Sequence, residues 1–270
     1  MACATMTGGL PASAGELPTN NVGPCSSRLL GDIWTPHATG QSASAEAESG
    51  MDKISQLQRS LRDARGMKVV FLSHCILNEN TRYLGGACSP ASVKSIVDEC
   101  ITKGLGMVQL PCPEQRAWGG VVKRLLLKAH GAEDSFLYRF RAIVVPAFVW
   151  YSKWIYRRLA HQVAGEVEDY VKSGFIVAGI VAIDGSPSCG LNVTLDLRTS
   201  FERTARMDLA NATIDTMNEI IRETAVPGDG LFTAALRKEL GRLHLDVPYL
   251  AHDLVAEVSG KPTPSAALFP

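Results

Sequence analysis

The sequence is short of the features that mark several large functional classes. Its 270 residues carry 27 Lys and Arg against 27 Asp and Glu, so the formal net charge is zero. A basic footprint for nucleic acid is missing, and so is an acidic tail. No nucleic-acid partner is expected. Long apolar runs are missing too. The nearest candidate, Phe136 to Tyr156, is broken by Arg139, Arg141, Pro146 and Lys153, so it does not read as an ordinary transmembrane helix and no stable membrane insertion is expected. Its expected role is a core helix, with an interfacial helix or an oligomer contact, such as a homodimer seam, as the alternatives. A basic stretch followed by a continuous apolar run is absent from the first residues, so no secretory signal is expected. The sequence has no P-loop, no G-x-G-x-x-G and no H-E-x-x-H, the usual signs of nucleotide and zinc-protease sites. Seven cysteines are too few for a disulfide framework in a chain this long. Their odd number fits reduced thiols and a cytoplasmic setting.

What the sequence does contain is unevenly distributed. Met1 to Gly50 is rich in Ala, Ser, Thr, Gly and Pro. Such a stretch buries too little apolar surface to offset its ordering entropy. Residues 1–66 are therefore read as a disordered extension, with Cys3 and Cys25 incidental and a short polar helix over Asp52 to Arg65. Met67 directly precedes the first strand and is a candidate original start. Residues 67–258 read as one α/β domain, and 259–270 as a tail.

Within the domain, apolar strands alternate with amphipathic helices. Lys68 to Cys75, Gly106 to Leu110 and Phe175 to Ile183 predict strands. Ser89-Pro90 predicts the start of a helix, with Val93, Ile96, Val97, Cys100 and Ile101 on one face. Cys100 is then a core residue. Glu114 to His130 reads as a loop and Asn192 to Arg203 as polar and irregular. A helix is predicted around Ala210 to Ile221, another over Leu231 to Leu243, and a last strand over Leu245 to Leu250. This alternation predicts a three-layer, Rossmann-like α/β domain with a mainly parallel sheet.

Three cysteines stand at the ends of predicted strands: Cys75, Cys112 and Cys189. In open α/β sheets, sites form outside the carboxyl ends of the strands. Residues distant in sequence meet there without any C-x-x-C pair. Three thiolates suit zinc or an iron–sulfur cluster. His74 is a candidate fourth zinc ligand, but adjacent residues in extended chain point apart, which makes joint ligation with Cys75 awkward. Glu114, two residues past Cys112, is a candidate acid or base, or a loop carboxylate paired with Arg116. Ser186 and Ser188 flank the last cysteine as hydroxyl donors or turn caps. Asp184 reads first as a turn cap. Arg82 is a candidate ligand for an anionic substrate or a solvated arginine. His130, His161 and His244 have no partners in view.

These motifs, Ser73-His74-Cys75-Ile76-Leu77-Asn78, Leu110-Pro111-Cys112-Pro113-Glu114 and Ile183-Asp184-Gly185-Ser186-Pro187-Ser188-Cys189-Gly190, together resemble the thiouracil desulfidase family, in particular its branch of related desulfidases. The resemblance covers roughly Met67 to Thr194. It implies a [4Fe–4S] cluster on Cys75, Cys112 and Cys189, with one iron open to a thiocarbonyl sulfur. It also implies catalytic roles for Glu114 and Ser186, and a small thiolated compound as substrate. Two departures concern the substrate: Ile183-Asp184-Gly185 replaces the basic residue usual before Ser-Pro-Ser-Cys, and Arg82-Tyr83-Leu84-Gly85 stands where Arg-Tyr-Asp-Gly is usual. Two readings from other classes compete with a desulfidase. One is an iron–sulfur or zinc-binding protein without turnover, and the other a thiol redox sensor. Neither needs an acid two residues from a ligand.

Overall fold

The computed structural model describes residues 53–61, 63–126, 139–208 and 211–258. The expectations for residues 1–52 and 259–270 lie outside the described residues. The chain divides into two compact units, Met1–Arg62 and Asp63–Pro270. In the first, residues 53–60 are helical, inside the polar helix expected there.

The second unit is built on a four-stranded, all-parallel sheet. In chain order its elements are β1 (Lys68–Leu72), α1 (His74–Leu77), a single 3₁₀ turn (Glu79–Thr81), α2 (Lys94–Thr102), β2 (Gly106–Gln109), α3 (Pro113–Ala117) and α4 (Arg141–Lys172). They continue with β3 (Ile176–Asp184), β4 (Val193–Leu195), α5 (Leu197–Ala205), α6 (Ile214–Thr224), β5 (Ala225–Pro227), α7 (Leu231–Arg242), β6 (Tyr249–Asp253) and α8 (Leu254–Val258). The strand order is β2-β1-β3-β6, and β4 and β5 form a separate antiparallel pair.

β1 shows why a parallel sheet forms here. Val70, Phe71 and Leu72 are completely buried, as expected when helices cover both faces. Successive side chains point to opposite faces. Val69 and Phe71 accordingly join a core with Tyr156, Val163 and Leu236 of α4 and α7, while Val70 and Leu72 join one with Ile96 and Cys100 of α2 and Leu254 of α8. Two helical layers thus sandwich the sheet, and the α/β expectation holds. Cys100 is a core residue, as its helical spacing implied.

The chain leaves central β1 for β2 on one side and then returns to β3 on the other. That reversal makes the crevice beyond the carboxyl ends of β1 and β3 a topological switch point, the usual place for a site in such sheets. Cys75 follows β1, Cys112 follows β2 and Cys189 follows β3.

Several local expectations change. β1 stops at Leu72 because the Ser73 amide and hydroxyl both turn to the Val181 carbonyl, at 3.0 and 2.9 Å. Cys75 therefore lies in α1 rather than in a strand. α2 begins at Lys94, not at Pro90: the Cys88 and Ser89 amides donate to Glu79 Oε2 at 2.7 and 2.9 Å, which holds that segment in a loop. Ile101 is exposed rather than on the buried face. The stretch after Glu114 contains α3, and the irregular stretch after Asn192 contains β4 and α5. The last strand is Tyr249–Asp253, displaced towards the carboxyl end.

The interrupted aromatic stretch lies largely within α4. One side is core, with Phe148, Ser152 and Tyr156 buried. Trp118 donates from its indole to Ser152 Oγ at 2.9 Å. Ile143, Trp150 and Trp154 on the other side are exposed. Among the described residues no helix is long and apolar enough to cross a membrane.

Candidate functional site

The three cysteines reach one pocket from three directions. Cys75 comes from the first turn of α1. Cys112 caps α3, its sulfur accepting from the Gln115 amide at 3.4 Å. Cys189 sits in the tight loop after β3. All three line the same cavity, with Glu114, Ser186 and Ser188, and all three are free thiols.

Their ionisation reflects this closeness. Burial pushes the Cys75 thiol up to about 12, with the Cys112 sulfur adding repulsion. Burial and then Glu114 push Cys112 up to about 11. Cys189 is held well above its ordinary value by burial and by both other cysteines. Left to themselves these groups are neutral thiols. A bound cation is what favours three adjacent thiolates in such a place.

The loop carrying Cys189 is over-determined. Ser186 Oγ accepts from the Ser188 and Cys189 amides at 3.3 and 3.1 Å. Gly190 is required by space, since a Cβ there would meet the Val193 carbonyl oxygen at 2.4 Å and the Ser186 carbonyl oxygen at 2.8 Å. Asp184 anchors the loop from the end of β3. Its Oδ1 accepts from the Leu191, Asn192 and Val193 amides at 2.9, 2.8 and 3.3 Å, and its Oδ2 from the Asn192 side chain at 3.0 Å. Asp184 is thus the cap that its position implied. Asp184→Ala is expected to cost about 2–4 kcal/mol, because it leaves several amides without an acceptor. The urea midpoint, at unchanged slope, measures this.

Glu114 faces the cysteines from the first turn of α3. Its Oε1 accepts from Ser188 Oγ at 3.0 Å and from Ser186 Oγ at 3.4 Å. The expected partner Arg116 is not the one found. Glu114 Oε2 instead meets Lys123 Nζ at 2.8 Å, and both side chains are largely buried. Burial alone would lower the Lys123 pKa, but Glu114 outweighs it and the ammonium is held above its ordinary value. Lys123 adopts a positive φ of 53°, costly for a residue with a side chain. Sequence reading missed it, since it reaches the pocket only when 118–126 folds back on itself, with Leu125 N donating to Trp118 O at 2.9 Å. Tyr156, also missed, has its pKa raised well above normal by burial, with nearby Glu114, Cys189 and Cys112 adding to it. Its buried hydroxyl has no hydrogen-bond partner.

Arg82 lines the pocket too, but is buried rather than solvated. Its Nη1 donates to Gly86 O at 3.1 Å and meets Glu79 at 3.1 Å and Glu257 at 2.8 Å. Glu79, Cys88 and Glu257 bring three potential ligand atoms within 4.8 Å of one another, a group that could hold a metal ion. The guanidinium already lies against its two carboxylates. The sulfurs of Cys75, Cys112 and Cys189 do not all approach one another that closely.

His74, the candidate fourth ligand, also lines the cavity. Its Nδ1 pairs with the Gln109 side chain at 2.6 Å. His161 is exposed and pairs with Glu239, and His130 lies outside the described residues. Comparison with family models, with curated proteins and with solved structures found no match to this chain.

Proposed function

We propose that this protein is an iron–sulfur-dependent desulfidase that removes sulfur from a small thiocarbonyl compound. The supporting observation is the pocket itself, where three cysteines from three strand ends face a buried Glu114–Lys123 pair and two serine hydroxyls. The motif resemblance to thiouracil desulfidases points the same way.

The donor set fits a [4Fe–4S] cluster. Three soft sulfur donors converge on one cavity, where Glu114 is engaged by Lys123 and Ser188 and His74 Nδ1 by Gln109. Their spacing favours a cluster over one ion. Tetrahedral zinc with bonds of about 2.3 Å needs its sulfurs about 3.8 Å apart, closer than these thiols come together. When bound through Cys75, Cys112 and Cys189, such a cluster supplies a Lewis-acidic iron with an open position for a thiocarbonyl sulfur.

The remaining chemistry belongs to the chain. The net reaction replaces C=S by C=O, consuming water and releasing hydrogen sulfide. Glu114 Oε1 takes a proton from the attacking water and later returns it to the departing sulfur. Lys123 fixes the other carboxylate oxygen, so that Oε1 stays turned towards the cysteines. Ser186 and Ser188 hold that same oxygen and position the substrate. The apolar walls, including Trp118, Phe201 and Leu254, exclude bulk water and strengthen each polar contact.

Lys123→Met tests the pairing. It leaves a buried carboxylate without its cation and is expected to destabilise the fold by about 3 kcal/mol. Lys123→Arg, which keeps the charge, should recover most of that. Urea unfolding of the three proteins measures it. Equal stability of all three would remove Lys123 from the site.

The experiment for the function as a whole is sulfide release from a panel of thiocarbonyl compounds by anaerobically prepared protein. Release of sulfide matched by the oxo product supports the reading. Tight binding of iron without any turnover would replace it with the non-catalytic one.

A further inference from the structure

The proposed reaction leaves the outer face of α4 without a role. Residues 143, 147, 150, 154, 157 and 161 follow one another at intervals of three and four, so they form one stripe along the helix. Phe148, Ser152 and Tyr156 occupy the opposite side and are buried. The stripe is exposed along its length, with Ile143 at 72%, Trp150 at 70% and Trp154 at 49%. Phe140, just before the helix, is exposed as well. Tryptophan is a residue that ordinarily buries most of its ring. Two exposed tryptophans one helical turn apart form a surface that packing within this chain does not use.

Charge is arranged around that surface. From residue 139 to residue 165 the sequence has Arg139, Arg141, Lys153, Arg157 and Arg158 and no Asp or Glu. Lys153 and Arg157 also line a surface groove between α4 and α7, with Lys238 and Arg242 contributed by α7. One carboxylate, Glu239, lines the same groove. Arg242 and His161 already hold it, at 2.6 and 3.4 Å. Among the described residues no carboxylate pairs with Lys153, Arg157, Arg158 or Lys238. The exposed rings and the unneutralised cations are therefore neighbours on one helix.

This combination decides the occupant. A second copy of the chain, paired about a two-fold axis, would bring the same surface against itself. Both sides would carry these cations and neither would supply an acid, so like charges would meet. A bilayer surface carrying anionic headgroups answers both features. Tryptophan rings settle at the boundary between headgroups and acyl chains, and Lys and Arg meet the anionic headgroups above it. The helix would lie along such a surface rather than through it. Its inner side is committed to the core, and no helix among the described residues is long and apolar enough to cross a membrane.

Going beyond the proposed reaction, we infer that the outer face of α4, with the adjoining α4–α7 groove, docks this protein on the surface of an anionic phospholipid bilayer. Ile143, Trp150 and Trp154 enter the headgroup boundary. Lys153, Arg157, Arg158 and Lys238 meet the headgroup anions. The attachment is peripheral and is weakened by salt, which screens exposed charges.

The test uses the full chain and two kinds of vesicle, phosphatidylcholine alone and phosphatidylcholine mixed with phosphatidylserine. Co-sedimentation measures the partition, and tryptophan emission reports entry of the rings. The wild type should bind the mixed vesicles at least about 10-fold more tightly than the neutral ones, with a blue shift in emission and release at high salt. Trp150→Ser with Trp154→Ser should weaken binding about 10-fold or more, because the apolar burial is lost, and should abolish the blue shift. Each cation beside an anionic bilayer is worth about five-fold, so Arg157→Gln with Arg158→Gln should cost about 30-fold on mixed vesicles. The same pair should change little on neutral ones. Circular dichroism checks that both double variants are folded. If either is not, Trp150→Ser or Arg158→Gln alone reads the same contribution at smaller size.

Absence of binding to the mixed vesicles would overturn the inference, as would equal affinity for the two kinds. Wild-type binding by both double variants would place the lipid contact elsewhere in the chain and overturn it too. A dimer that the tryptophan variants dissolve, without vesicle binding, would give the face to a second copy instead. None of these outcomes bears on sulfide release, so the desulfidase reading stands or falls separately.

Discussion

Cys189→Ala is expected to yield a colourless protein with almost no bound iron after anaerobic preparation, and Cys75→Ala and Cys112→Ala the same. The wild type should be brown, with about four irons per chain. The physical ground is that each cysteine supplies one of three sulfur donors that line one cavity. Two thiolates cannot hold what three do, and no described cysteine stands ready to replace the lost one. Cys100 is completely buried in the core formed with α2, and it is not among the residues that line the cavity. Cys100→Ala should retain the iron and lose only stability. Cys88 is exposed and lies by Glu79 and Glu257, so Cys88→Ser should keep the iron as well. Iron and acid-labile sulfide analysis, with absorbance spectra, checks the whole series. Full iron content in any of the three alanine variants would refute the assigned ligand set.

Glu114→Gln should keep the cluster and lose the reaction. The amide retains the shape of the side chain and can still meet Ser186 and Ser188. It cannot accept and return a proton. General acid–base groups typically contribute about 10² to 10⁴ in rate, and a loss of that size in kcat is the expected result. The amide also loses the charge that faces Lys123, so the stability of the variant must be measured alongside. A variant that stays folded under the assay conditions and keeps its iron while losing turnover assigns the loss to chemistry. The spectrum with thiouracil added should still change, since binding does not need the proton. Sulfide release at the wild-type rate would remove Glu114 from the mechanism.

The fold was legible because the strands that matter are the buried ones. Val70, Phe71 and Leu72 form an apolar run with no solvent face, and so do Ile180 to Ile183. Runs of that kind, spaced by helices, imply a parallel sheet. The positions of Cys75, Cys112 and Cys189 then follow from where such strands end. The ends themselves were less legible. Ser73-His74-Cys75 continues the composition of β1, and nothing local says that Ser73 turns to the Val181 carbonyl of another strand. Ser89-Pro90 has the chemistry of a helix start, but the Glu79 carboxylate takes the Cys88 and Ser89 amides first. α5 escaped because Phe201 is the only buried hydrophobic residue among those of its side chains that are described.

The site divides in the same way. Glu114 and Ser186 sit within motifs and were found there. Lys123 and the true environment of Arg82 depend on contacts made after folding, between residues 114 and 123 and between 82 and 257. No spacing rule announces either. The strained backbone at Lys123 is one such signal, visible only in three dimensions.

The most direct test of the account is catalytic release of sulfide by the cluster-loaded protein. Given excess thiouracil or another small thiocarbonyl compound, the wild type should release one sulfide for each oxo product formed, over many turnovers. Cys189→Ala should release none. Absence of sulfide from the iron-loaded wild type across the whole panel, or equal release from the wild type and Cys189→Ala, would contradict the account.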